Sequence, residues 1–297
     1  MSTVSTAQPL TLQLILDEAA KQARRHFRAI YLPVAIPLSV VSGLLPFAQG
    51  AFYKNTGFGG SRPPDFSVLL PNFGFLMLVG LFFGLAYALG HGALLVAAVD
   101  ALAGRPISMK RAWLTMVQPR VLGTLLLSWL AALVGSMCCI LPGIYVGLLL
   151  CLVIPVIVDE GLGGTRALGR SRELMEYNPQ RDFGSDPRLK AFLMLLAGFL
   201  LGYILGLVVQ LPTIVIQQVV VMRGVASGQR VDPASLMNSL IWLHVPTSMI
   251  AVLVQTAVRL YVSFCIALLF LDMRRRKEGH DLEGAIASLG AHPDPQG

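Results

Sequence analysis

The chain has 297 residues, 55% of them hydrophobic and only 13% charged, with a net charge of +7 and a pI near 9.5. A soluble domain carries about a quarter charged residues, so a chain with mean hydropathy +0.69 must turn much of its surface to lipid. The cations flank apolar runs, which points to membrane orientation and anionic phospholipid and excludes nucleic acid as the expected partner.

Met1 to Gln8 is polar, and the first apolar run follows a charged stretch rather than a short basic leader. The first membrane helix is therefore expected to act as its own targeting signal. Over residues 10–28, Leu12, Ile15, Leu16, Ala19, Ala23 and Phe27 recur at helical spacing, with Arg24, Arg25 and Arg28 on the polar side. That pattern predicts an amphipathic interfacial helix. A span over 30–53 follows, then a Gly/Pro-rich outer loop (54–67) and a second span over 69–100.

A second interfacial helix is expected over 107–118, where Lys110 and Arg111 mix with Met109, Trp113, Leu114 and Val117. The run 121–158 contains no Asp, Glu, Lys or Arg and would measure about 57 Å as one helix, nearly twice a bilayer core. Gly135 and Pro142-Gly143 divide it into spans over 121–137 and 141–158, with Pro155 expected to kink the second. A third interfacial helix over 164–177 carries Arg166, Arg170 and Arg172. Spans over 190–212 and 240–272 follow, the first ended or kinked by Pro212, with a wet loop near 223–238 between them. Residues 284–297 read as a disordered tail.

The fold class is thus all-α: a polytopic bundle of six spans, built as three repeats of interfacial elbow helix plus transmembrane hairpin. Each hairpin ends on an aspartate: Asp100, Asp159 and Asp272. With both ends in the cytoplasm, eighteen of the 23 Lys and Arg residues fall on the inner side, among them Arg274 and Arg275, and four on the outer side, as the positive-inside rule requires. Arg24, Arg25, Arg28, Lys110, Arg111, Arg166, Arg170, Arg274 and Arg275 are the expected contacts for anionic lipid.

The remaining cation, Arg259, lies twelve residues before Leu271, about 18 Å into its helix. An arginine at that depth costs about 2.5–3.5 kcal/mol on insertion scales. No Asp or Glu falls inside a span, so Arg259 must snorkel, bond to carbonyls or to amides such as Gln210, Gln217 or Gln255, or face a cavity or a lipid phosphate. His91, in Gly90-His91-Gly92, is also deep, as a packing residue or a second member of that site; its glycines permit close helix approach. The acidic pairs Asp159–Glu160 and Glu173–Glu176 stand among arginines and read as surface ion pairs rather than acid–base catalysts.

Cys138, Cys139, Cys151 and Cys265 lie in apolar runs without metal-ligand spacing and read as small hydrophobes. No catalytic motif, phosphate loop or dinucleotide fingerprint is present, so neither an enzyme, a metal nor a cofactor is expected.

Several stretches together resemble a known family: Arg25-His26-Phe27-Arg28 leading to Tyr31-Leu32-Pro33; Ile154-Pro155-Val156-Ile157-Val158-Asp159-Glu160 followed by Ala167-Leu168 and Arg170-Ser171-Arg172-Glu173-Leu174; and Phe270-Leu271-Asp272-Met273-Arg274-Arg275-Arg276-Lys277-Glu278-Gly279-His280-Asp281-Leu282-Glu283. Over residues 10–283 the pattern is similar to the bacterial six-helix family that includes the membrane domain of some glycerophosphoryl diester phosphodiesterases. The resemblance implies a bacterial cytoplasmic-membrane protein. The phosphodiesterase activity belongs to a separate soluble barrel and is not implied for this chain. Two functions stand open: a non-enzymatic scaffold, assembly factor or subunit of a membrane complex, partnered by copies of itself or by other membrane subunits, or a transporter, channel or lipid-handling protein built around Arg259.

Overall fold

A backbone surrounded by hydrocarbon must satisfy its own hydrogen bonds, and within one segment only a helix does so. The computed structural model describes residues 10–56, 66–138, 140–177, 186–227 and 233–290, and among these all regular structure is helical. The helices are α1 (Leu12–Thr56), α2 (Phe66–Leu102), α3 (Met109–Val117), α4 (Pro119–Cys138), α5 (Ile140–Leu149), α6 (Val153–Glu160), α7 (Thr165–Glu176), α8 (Pro187–Ala226) and α9 (Pro233–Gly290). Six segments are long and apolar enough to cross a bilayer: Leu12–Phe52, Leu70–Leu102, Pro119–Met137, Leu141–Glu160, Pro187–Gly224 and Ser239–Gly279. The chain is an all-α polytopic membrane protein with six spans.

Two of the three interfacial helices stand apart from their spans. α3 begins at Ser108, whose side chain accepts from the Arg111 N–H, and stops because Gln118 precedes Pro119 and is extended (φ −60°, ψ 135°). α7 begins after Gly164, at φ 60° and ψ −141°, a backbone only glycine adopts without strain. The first interfacial segment is not separate: α1 runs unbroken from Leu12 to Thr56, which corrects the expected helix over 10–28. From Leu12 to Leu32 this stretch contains neither Gly nor Pro, so nothing ends the helix before it enters the span.

Proline acts as expected in the fourth span. Pro155 has no N–H for the Cys151 carbonyl, and the helix is interrupted over 150–152, where Cys151 N–H turns tightly to Leu148 O at 3.3 Å. Pro212 does not end its span; α8 continues through it to Ala226, and α9 already begins at Pro233. The wet loop is correspondingly shorter than 223–238. α9 also extends through residues 284–290 to Gly290, so that stretch is helical rather than a disordered tail; residues 291–297 lie outside the described ones.

Gly135 and Pro142-Gly143 lie inside helices rather than in a turn. Pro142 falls in the first turn of α5, where a missing N–H costs nothing. The glycines set the α4–α5 crossing: a Cβ on Gly143 would meet Ser136 Cα at 2.9 Å, and one on Gly135 would meet Gly143 Cα at 3.2 Å.

The helices form two compact units. Unit 1 comprises Met1–His26, Leu95–Ala197 and Tyr261–Gly297; unit 2 comprises Phe27–Leu94 and Gly198–Leu260. α9 supplies much of the buried core: 61% of its apolar window is buried, against 11% for the windows of α2, α4 and α8. Most exposed large side chains of α8 are Leu, Ile, Val and Phe over several turns, as suits a helix bordering lipid.

Gly143→Ala should lower stability by about 1–3 kcal/mol, because backbone must move to admit the methyl. Gly147→Ala, one turn on in α5 with open space around it, should be neutral or slightly stabilising. Thermal unfolding in detergent micelles measures both.

Candidate functional site

The three hairpin-terminal aspartates are the organising groups of unit 1. Asp100, at the end of α2, is 1% exposed, and Arg105 Nε stands 3.0 Å from its Oδ1. The N–H points off the line of a hydrogen bond, so this contact is a charge pair rather than a directed bond. Arg111 of α3 approaches the other oxygen at 3.8 Å. Asp159, at the end of α6 and 12% exposed, takes Arg105 Nη2 at 2.7 Å on one oxygen and Arg274 of α9 on the other. Asp272 of α9 accepts from Arg276 and from the Leu10 N–H at 3.3 Å. Lys190 of α8 donates to the Leu10 carbonyl at 2.9 Å, so the start of the described chain is held at both its polar groups.

A second chain of pairs continues outward. Arg170 spans Glu160 at 3.0 Å and Glu173 at 3.2 Å, and Lys277 reaches the same Glu173. Ion pairing of Asp159–Glu160 and Glu173–Glu176 with arginines agrees with the sequence pattern, but Asp159 and Glu160 are largely buried rather than at the surface. Outside the spans, Asp186 caps α8. Burial opposes its ionisation, yet the Arg188 side chain and the Arg188 and Leu189 backbone N–H groups outweigh that and hold its carboxyl below the usual carboxylate range.

The expected lipid contacts divide accordingly. Arg24, Arg25, Arg28, Lys110, Arg111, Arg166 and Arg275 are exposed. Arg170 and Arg274 are turned into the protein by Glu160 and Asp159. The sequence pattern did not single out Arg105 or Lys190, since only tertiary contact distinguishes them from other loop cations.

In unit 2, Arg259 of α9 lies half-buried, with its guanidinium carbon 5.7 Å from the centre of the Tyr87 ring of α2. A cation over an aromatic face gains about 0.5–2 kcal/mol, more as water is removed. His91, one turn further along α2, has its ring 6.4 Å from that of Tyr87 and its Nε2 buried without a hydrogen-bond partner among the described residues. Gly90 lets Leu38 of α1 approach to where a Cβ would be 2.7 Å away, the close packing expected of a glycine beside His91. Gln255 is half-buried one turn before Arg259, its Nε2 3.0 Å from the Cβ position of Gly206. Gln210 is exposed. Tyr87 was missed in the sequence because an aromatic in an apolar span carries no mark of a cation partner.

Among the described residues, no three His, Cys, Asp or Glu side chains gather as metal ligands. Compared with protein-family models, curated proteins and solved structures, the chain matches none.

Two outcomes are expected. Asp159→Asn should destabilise by about 2–3 kcal/mol, since it leaves two arginines part-buried against a neutral group, whereas Glu176→Gln, in an exposed pair with Arg172, should cost under about 0.5 kcal/mol; denaturant titration in micelles compares them. In a double-mutant cycle of Tyr87→Leu and Arg259→Met, the coupling should be about 0.5–2 kcal/mol, and a coupling near zero would exclude an energetic link between ring and cation.

Proposed function

We propose that the chain is a non-enzymatic scaffold or assembly subunit of a bacterial cytoplasmic membrane, related to the six-helix family it resembles. Its basic end faces the cytoplasm, and its partners are the bilayer, anionic phospholipid and other membrane subunits or copies of itself. The observation that carries this reading is the clamp on Asp159. Arg105 follows the first hairpin, Asp159 closes the second and Arg274 closes the third, so one carboxylate ties all three repeats at their basic ends. A carrier that opened toward that side would have to separate these part-buried charges, at several kcal/mol per opening. A scaffold gains from the same rigidity.

A second reading, solute or lipid handling, draws on the polar group of Arg259, Tyr87 and His91 within unit 2, because ionisable residues inside a membrane commonly mark a pathway.

Accessibility separates the two. In a cysteine-free background, Val156→Cys, fully buried beside the clamp, should resist a membrane-impermeant maleimide in inverted membrane vesicles, while the exposed Arg275→Cys reacts there and not in spheroplasts. Reaction of Val156→Cys at the rate of Arg275→Cys would sink the scaffold reading, and Arg275→Cys reacting only in spheroplasts would reverse the orientation.

A further inference from the structure

Between α3, the start of α4 and the last turn of α6 lies a cavity of about 420 Å³ whose walls carry Lys110, Arg111, Arg120, Ser108 and Thr115. All of it belongs to unit 1. Ile157 and Val158 form its apolar side, and Leu114, 59% exposed, forms an apolar lip.

The three cations are differently held. Lys110 is exposed and has no ion pair among the described residues. Arg111 shares Asp100 with Arg105, which stands closer to it, so much of its charge is uncompensated. Arg120 is positioned by the backbone: its Nη1 donates to the Gly161 carbonyl at 3.0 Å, and its stem lies across Gly163, where a Cβ would come within 2.5 Å of Arg120 Cγ. The 161–164 segment is itself fixed, with Gly161 in the left-handed region at φ 69° and the Gly164 N–H donating to Thr124 Oγ1 at 2.7 Å. A glycine turn thus holds an arginine at a cavity that already contains two cations and two hydroxyls. Grouped guanidinium, ammonium and hydroxyl donors suit the tetrahedral oxygens of a phosphate, and an adjoining apolar lip suits an acyl chain.

We propose that this cavity binds the phosphate of an anionic glycerophospholipid headgroup, with free phosphate as the alternative source of the same chemistry. Lys110 and Arg120 carry the contact, and Gly163 is a positioning residue that keeps room for Arg120. The proposal rests on the reading of the basic end as cytoplasmic and in contact with anionic phospholipid, and adds to it a defined site.

The test titrates the full chain, in phosphatidylcholine nanodiscs, with short-chain phosphatidylglycerol and separately with inorganic phosphate, counting bound molecules by native mass spectrometry. Lys110→Gln with Arg120→Gln should weaken phosphatidylglycerol binding by about tenfold or more. Gly163→Ala, which changes no charge, should weaken it about threefold through Arg120. Lys21→Gln with Arg172→Gln, exposed cations outside the cavity that pair with Glu18 and Glu176, should leave that binding unchanged, whereas Arg24→Gln with Arg25→Gln should lower adhesion to anionic vesicles. Phosphate binding that disappears in the Lys110/Arg120 variant supports the site and identifies the free anion as a source. Equal losses from the Lys21/Arg172 and Lys110/Arg120 variants, or no loss from the latter, overturn the cavity while leaving the reading of a basic end in contact with anionic lipid intact. Unchanged binding in Gly163→Ala overturns the part assigned to Arg120. Vesicle adhesion unaffected by Arg24→Gln with Arg25→Gln counts against the reading of a basic end in contact with anionic lipid.

Discussion

A carboxylate at the point where an apolar helix ends is costly unless cations close around it, and the basic end of this protein is organised about that requirement. Asp159 sits on a helix already shortened by Pro155 and accepts two arginines from different repeats. Because both oxygens are engaged, the carboxylate acts as a tie between segments more than 50 residues apart on one side and more than 100 on the other. Asp100 and Asp272 repeat the theme with their own arginines, and Asp272 also binds the Leu10 N–H near the start of the described chain. A network of this kind adds little net stability for each pair, but losing any one member strands the others. Its main consequence is that the repeats have one arrangement at this end.

Small residues do the complementary work where charge is absent. At Gly143 and Gly90 the neighbouring atoms already occupy the space a Cβ would take. In lipid, where no hydrophobic drive pulls one helix to another, such close approach provides the packing contacts that hold helices together. Proline is likewise distributed by consequence: inside α1 and α8 the helix continues through it, while at Pro155 the ladder gives way over 150–152. That interruption separates α6, which carries the Asp159 tie, from α5, which carries the glycine crossing.

Arg259 illustrates how a deep cation is accommodated with an aromatic face beside it. Tyr87 presents a ring rather than a charge, which offsets part of the desolvation cost without placing a carboxylate in hydrocarbon. The same physics separates the exposed cations of α3 from Arg170 and Arg274, which are held inside the protein by Glu160 and Asp159.

Much of this architecture is legible in the residues alone. Charge-free runs, one of them (121–158) too long for a single crossing and the last interrupted only by Arg259, determine helices and their number, because the cost of placing Lys, Arg, Asp or Glu in hydrocarbon acts on each segment separately. The repeated terminal aspartates and the depth of Arg259 are local facts of the same kind. Which arginine meets which aspartate, that the first elbow merges into α1, that Gly135 and Gly143 pack helices rather than turn the chain, and that Tyr87 faces Arg259 were decided only by tertiary structure. Those outcomes depend on distances between residues far apart in the chain, and one residue's type does not encode what will stand 3 Å from it.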